Sequence, residues 1–264
     1  MSWIDTHCHL DAGEFDPDRD AVWQRARAAG LAIAVLPAVK VAHFERVREL
    51  AHALKLAYAL GIHPLCVDEA GEQDLDALRD ALARHRGDPR LVAVGEIGLD
   101  GFVDRPTLAA QTPWFEAQLA LARQYELPVI LHVRRAVDAI IHRLRRVGVP
   151  GGIAHAFNGS RQQADQLIGL GFKLGFGGTL TYPGSRRIRA LAAQLPIDAL
   201  VLETDAPDIA PVWARGMRNE PAAVARIAVE LAAIRDMPVA SVIEATGRNA
   251  CAVLPRLGRV LRGG

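Results

Sequence analysis

The chain has 264 residues, near the size of one α/β barrel, so a single domain over 1–264 is expected rather than two. Half of the residues are hydrophobic, which excludes a disordered composition, and a formal net charge of +1 argues against a strongly basic, sequence-indifferent nucleic-acid binder. Three cysteines without C-x-x-C spacing fit a reducing compartment, no run is leader-like or long enough to span a bilayer, and the expectation is a soluble cytoplasmic protein with a monomer favoured.

Taken in order, short apolar runs alternate with longer amphipathic ones. Trp3–His7 precedes helical periodicity over Asp20–Ala29, Ile33–Pro37 precedes His43–Leu54, and Leu56–Ile62 precedes Leu75–His85. Val92–Ile97 leads to Thr112–Tyr125, Pro128–His132 to Val137–Val147, and Gly152–His155 to Gln162–Leu170. Phe172–Phe176 and Leu200–Glu203 are followed by Arg187–Gln194 and Ala222–Arg235. Alternating βα units predict a parallel sheet with helices on its faces, and eight of them close a (β/α)8 TIM barrel. A doubly wound open sheet is the alternative, but neither G-x-G-x-x-G nor a P-loop supports it. Beyond Pro238, residues 239–264 are expected to pack on the barrel as an extension, helical over Val239–Thr246 and Cys251–Leu257 and fraying at Arg262-Gly263-Gly264.

In such a barrel, strand ends and the loops after them build the active site. Polar residues fall at those ends repeatedly: His7 and His9, His63 in G-I-H-P, Glu96 and Asp100 in G-E-I-G-L-D, His132 and Arg134, His155, and Glu203 with Asp205. In a strand, Asp5, His7 and His9 would share one face, and Cys8 the other, as a core residue. Isolated, an H-x-H pair is as readily a satisfied pair of buried histidines as a ligand pair. A carboxylate has two oxygens and can bridge two cations, so the whole set reads as a binuclear site. Glu96 would bridge His7 and His9 on one side and His132 and His155 on the other. Asp205 would complete it as ligand or as base for a water between ions about 3.5–4 Å apart. For Glu96 the bland alternative is a buried partner of an arginine.

Glu203, two residues before Asp205, either orients a ligand histidine or forms an internal hydrogen bond or salt bridge. His63 is read as a substrate or transition-state contact in preference to a ligand or loop cap. The remaining histidines, His43, His52, His85 and His142, read as solvated helix positions. Arginines at 134, 135, 186, 187, 215 and 218 fall in the same loops, and their planar forks suit phosphate oxygens. Arg143–Arg146 reads as a solvated helix face. Trp213 reads equally as a base-stacking platform or a packing residue.

These pieces resemble one family, the TatD-like metal-dependent hydrolases of the amidohydrolase-type barrels. The resemblance rests on D-T-H-C-H-L-D (Asp5–Asp11), G-I-H-P (Gly61–Pro64), V-G-E-I-G-L-D (Val94–Asp100), P-V-I-L-H-V-R (Pro128–Arg134), H-A-F-N-G-S (His155–Ser160), L-E-T-D-A-P (Leu202–Pro207) and R-N-E-P (Arg218–Pro221), in the family's order over nearly the whole chain. It implies a distorted TIM barrel holding two divalent ions (Mg, Mn or Zn) on His7, His9, Glu96, His132, His155 and Asp205, and a deoxyribonuclease activity, often 3′-to-5′ on single strands. Two departures bear on specificity. Leu65 follows G-I-H-P where many relatives place a histidine, and Gly101-Phe102-Val103 follows G-L-D where many read two aromatics and an arginine.

The leading expectation is therefore a metal-dependent deoxyribonuclease, with Asp205 and Glu96 in the chemistry and His63, Arg134 and Arg218 holding substrate. Its partner would be DNA or another phosphate-containing molecule. Two alternatives remain: the same metals acting on a small phosphoester, amide or lactone, and a non-catalytic binding protein with a structural metal.

Overall fold

A computed structural model describes residues 3–263. Eight strands, β1 (Trp3–Asp5), β2 (Leu31–Pro37), β3 (Ala57–Leu60), β4 (Leu91–Asp100), β5 (Val129–Arg134), β6 (Gly152–Ala154), β7 (Phe172–Phe176) and β8 (Leu200–Leu202), lie side by side in chain order. Every neighbouring pair is parallel. At the seam, the Thr6 N–H donates to Leu202 O at 3.0 Å and brings the ends of β8 and β1 together, nearly closing the barrel.

Each strand is followed by a helix: α1 (Arg19–Ala28), α2 (Phe44–Ala53), α3 (Glu72–Arg84), α4 (Leu108–Gln124), α5 (Val137–Val147), α6 (Arg161–Gly169), α7 (Arg186–Gln194) and α8 (Ala223–Arg235). The helices form for local reasons. In α5, Val137, Ile140, Ile141 and Leu144 are buried at helical spacing, and Gly148 ends the helix at a left-handed φ of 70°. At the start of α6, Ser160 and Gln163 cap each other's backbone N–H groups. All ten residues of β4 are buried, the composition expected of a parallel strand covered on both faces.

The structure departs from the sequence expectations at three places. β1 stops at Asp5, so His7 and His9 lie on the segment beyond it. β4 runs on to Asp100 because its register with β5 continues as far as Asp100 opposite Arg134. The extension holds one unbroken α9 (Val239–Val253) and then α10 (Pro255–Gly263), with the break at Leu254 before a proline suited to a helix start. Asn249 tolerates its mid-helix position because its side-chain amide donates to Ile197 O and Leu200 O, both at 2.7 Å, pinning α9 to the barrel. Arg262 and Gly263, expected to fray, continue α10, and Gly264 lies outside the described residues. No helix among the described residues is long and apolar enough to cross a membrane.

Candidate metal centre

The nitrogen and oxygen donors singled out in the sequence converge at the C-terminal rim of the barrel. Glu96 lies at their middle, nearly fully buried. Its Oε2 is 3.1 Å from His7 Nε2 and 3.6 Å from His9 Nε2, and its Oε1 is 3.0 Å from His132 Nδ1. Asp205 Oδ1 closes the first side, 3.4 Å from His7 Nε2 and 3.6 Å from both His9 Nε2 and His155 Nε2. His155 stacks on His7 with ring centroids 3.7 Å apart, which places it nearer the His7 side than the expected pairing with His132.

His63 is the residue brought beside His132, its Nε2 3.1 Å from His132 Nδ1 and 3.5 Å from Glu96 Oε1. By distance alone, His63, Glu96 and His132 group as possible ligands. The hydrogen bonding of His63 favours a donor role instead. The Leu65 N–H donates to His63 Nδ1 at 3.2 Å, and burial holds the ring's pKa down. A neutral imidazole that accepts at Nδ1 carries its proton at Nε2, so the atom facing the site is a donor rather than a lone pair.

His132 and His155 have the opposite arrangement. His132 Nε2 faces Asp100 Oδ2 at 2.9 Å, which leaves Nδ1 toward Glu96. His155 Nδ1 is 3.2 Å from Glu203 Oε1, leaving Nε2 toward Asp205. A carboxylate on the far nitrogen fixes the tautomer and raises the basicity of the near one, the usual support for a metal-binding imidazole. Glu203 also accepts from the Ala156 N–H at 2.6 Å. Gly175 gives it room, since a Cβ there would stand 2.1 Å from Glu203 Oε2. Likewise a Cβ on Gly98 would meet His132 O at 2.0 Å, so only glycine lets β4 lie this close to the ligand strand.

The donor set fits a divalent cation. Two imidazole Nε2 atoms, of His7 and His9, approach to 3.1 Å, too close for two lone pairs without a cation or proton between them. Nitrogen with carboxylate oxygen suits Zn and Mn, and Mg where carboxylates dominate. The same crowding sets the electrostatics. Burial pushes Glu96 up, but the surrounding imidazoles outweigh it and hold its carboxyl well below the usual range. Burial, with the Glu96 and Glu203 charges adding to it, raises Asp205 to about 6 even though His155 and His9 pull the other way. His9 is lifted to about 9 and His155 to about 10, because Glu96, Glu203 and Asp205 override the burial that lowers them. His7 goes the other way, lowered by its complete burial and by His155.

Several residues sit elsewhere than expected. Asp5 turns away from the donors to bind Thr204 Oγ1 at 2.6 Å, the Thr204 N–H at 3.0 Å and the His7 N–H at 3.2 Å. Arg218, expected to hold substrate phosphate, is committed to protein instead. It makes a two-pronged pair with Asp18 at 2.7 and 2.8 Å, reaches Glu220 at 3.2 Å and stacks over Phe15. The neighbouring Glu220 was the signal for this in the sequence. Of the two readings open for Trp213, the structure favours packing: it lies partly buried against the core and under Arg226, whose guanidinium carbon is 4.0 Å from its ring centroid. His52 is exposed, as expected, and also bonds Asp88 at 2.7 Å. Arg134 does stand at the rim, half-exposed, its guanidinium stacked on Phe102 at 3.8 Å with Arg135 over the same ring at 4.5 Å.

Two residues that carry the site went unassigned in the sequence, Gln111 and Gln118, seven positions apart on α4 and both buried. Gln118 bonds the Ile62 N–H at 2.7 Å and Ile62 O at 3.0 Å, next to His63. Gln111 does the same for Asp100, at 2.7 and 2.9 Å. Buried glutamines two turns apart on an otherwise apolar helix face were the available signal.

Comparison with known proteins agrees with this geometry. The family model described as TatD related DNase matches residues 4–255. The chain is 41% identical over 249 residues to an Escherichia coli K12 protein described as an uncharacterized metal-dependent hydrolase, YjjV, covering 94% of this chain and 95% of that one. It is 30% identical over 274 residues to the human protein described as deoxyribonuclease TATDN3, covering 98% and 97%. The crystal structure of YjjV, described as a TatD homologue, superposes with a TM-score of 0.92 over 96% of this chain and 98% of that one. A TatD family hydrolase from Entamoeba histolytica, at 21% identity, shares the fold with a TM-score of 0.84.

Proposed function

Because the chain belongs to the TatD related DNase family, a family of metal-dependent hydrolases, we propose that it is a divalent-metal-dependent deoxyribonuclease that shortens single-stranded DNA from the 3′ end. The observation that carries this reading is the rim beside the donors, where Arg134 and Arg135 stack on the half-exposed Phe102. Guanidinium forks take phosphate oxygens in pairs, and stacking on Phe102 holds these two at the rim of the site. The name of the human relative points the same way.

In this reading His7, His9, Glu96 and Asp205 would hold one ion and Glu96 with His132 the other, with His155 reaching the pair from the side of His7 and Asp205. Bound there, two divalent ions would polarise the scissile phosphoryl group and lower the pKa of a water between them. Asp205 Oδ1, 3.4–3.6 Å from the His7, His9 and His155 Nε2 atoms, would serve either as a ligand in that set or as the acceptor of a proton from an attacking water. His63 offers its Nε2–H to a phosphate oxygen. Asp100 and Glu203 keep His132 and His155 turned so that Nδ1 and Nε2, respectively, face the metals. The number of donors exceeds what a closed four-ligand structural site needs, which speaks against a purely structural ion.

The test is a nuclease assay on 5′-labelled single-stranded DNA with metal-stripped protein, with Mg, Mn or Zn restored. Stepwise 3′ shortening that requires metal, and that falls by about a thousandfold or more in Asp205→Asn, is the expected result. Bound metal without cleavage of any DNA would overturn the nuclease reading and favour small phosphoesters, amides or lactones.

A further inference from the structure

At the opposite end of the barrel, where the strands begin, lies a second cavity of about 500 Å³. Its walls include Pro128, Pro150 and Gly171, just before β5, β6 and β7, and the α9–α10 corner roofs it. Four cations line it, Arg86, Lys173, Arg256 and Arg259, against one carboxylate, Glu126. For a chain whose net charge is +1, this is a strong local excess of positive charge.

The four cations are not neutralised by the fold. Among the described residues none of them lies within 4.0 Å of a carboxylate. Two are anchored on backbone carbonyls instead. Arg256 donates to Leu91 O at 3.0 Å and Asp88 O at 3.4 Å through one terminal nitrogen, leaving its other nitrogens uncommitted. Lys173 donates to Asp198 O at 2.6 Å. Anchoring on carbonyls positions a cation without cancelling its charge, so these groups are held ready for an anion. Arg86 and Arg259 are exposed at the rim of the same cavity. Tyr125, Pro128 and Pro150 add flat apolar wall, and the volume lies in the range that encloses a small organic ligand.

We propose that this basal cavity binds a small phosphorylated anion, its phosphate held by the Arg86, Arg256 and Arg259 guanidiniums, at a site separate from the hydrolytic one. Guanidinium forks select phosphate over a singly charged carboxylate by their paired N–H groups. A free phosphate and the phosphate of a mononucleotide share this chemistry, and only the nucleotide also uses the wall at Tyr125. The inference does not depend on the substrate hydrolysed at the other end of the barrel.

The test uses metal-loaded protein and hydrogen exchange, which reads the two ends of the barrel separately. The probes are deoxyadenosine monophosphate, inorganic phosphate and deoxyadenosine. The expected result is slowed exchange in 126–128 and 252–259 with the monophosphate. Its affinity at those segments should fall by about tenfold or more in an Arg86→Gln/Arg259→Gln double variant. Arg256 is left in place because it ties α10 to β4. Equal protection by inorganic phosphate would support the proposal and identify phosphate alone as the ligand. Protection by the monophosphate only would support it and identify a nucleotide. No basal protection with either phosphate, the same affinity in the double variant, or equal protection by deoxyadenosine would overturn it. Hydrolysis should be unchanged in the double variant, which separates failure here from failure at the metal centre.

Discussion

Replacing Gln118 by methionine keeps the length of the side chain and removes its amide. In the folded protein that amide is the partner of both peptide groups of Ile62, at 2.7 and 3.0 Å, in a place where Ile62 itself is 1% exposed. Methionine fills the space but leaves a buried N–H and a buried C=O unpaired. Each orphaned group costs about 1–3 kcal/mol, so the pair should cost ~2–6 kcal/mol. For a domain of this size that lowers Tm by roughly 5–20 °C. In urea the midpoint should drop with an unchanged m-value, because the surface exposed on unfolding is the same. His63 follows Ile62 directly, so loosening the clamp should also weaken the alignment of its Nε2–H beside His132. A Gln118→Met protein as stable as its parent would refute the claim that α4 holds the rim through this amide.

Other outcomes follow from the same geometry. Glu203→Gln should weaken metal binding by about 10–100-fold, measured by competition with a chelating dye, because the group supporting His155 Nδ1 loses its charge. Arg134→Ala should raise KM for single-stranded DNA by about tenfold with little change in kcat. Arg218→Ala, whose fork is occupied by Asp18 and Glu220, should leave KM alone and lower Tm instead. Asp88 supplies the pH dependence. Burial raises its pKa, but bonds from His52, the Arg90 N–H and Tyr58 outweigh that and hold it below the ordinary carboxylate value. Its contribution to stability is thus full above about pH 4 and is lost as pH falls through the folded value. Urea midpoints of parent and Asp88→Asn should differ at pH 7 and converge toward pH 3.

The barrel and the donor residues could be read in the sequence for one reason. Alternating βα units are a one-dimensional pattern, and the rule that strand ends face the site converts it directly into a list of candidates. What the pattern does not contain is direction around a hydrogen bond. His63 and His132 both stand at strand ends, and only the Leu65 N–H on one and Asp100 on the other make the first turn a protonated Nε2 to the site and the second an unprotonated Nδ1. Arg218 was misjudged because loop position alone cannot tell a free guanidinium from one claimed by Asp18, 200 residues earlier in the chain. Asp5 is expected on the same face as His7 and His9 by strand alternation. The strand ends at Asp5 itself, and beyond that point period-two reasoning no longer says where a side chain goes.

That early ending ties the fold to the site. β1 and β8 are only three residues each, so the seam between them has little room for ladder bonds. Two bonds accepted by the Asp5 carboxylate from Thr204 span the gap instead, while a third, from the His7 N–H, fixes the segment just after β1. Just beyond, the Asp205 N–H donates to His7 O at 2.9 Å and the His9 N–H to Ala206 O at 2.8 Å. Asp205 adopts a left-handed φ of 59° to do so, a conformation that aspartate tolerates better than most residues. The same bonds that shut the barrel therefore set the distance between His7, His9 and Asp205. A site assembled across such a seam needs no dedicated loop to bring its donors together, because barrel closure and donor placement are one event.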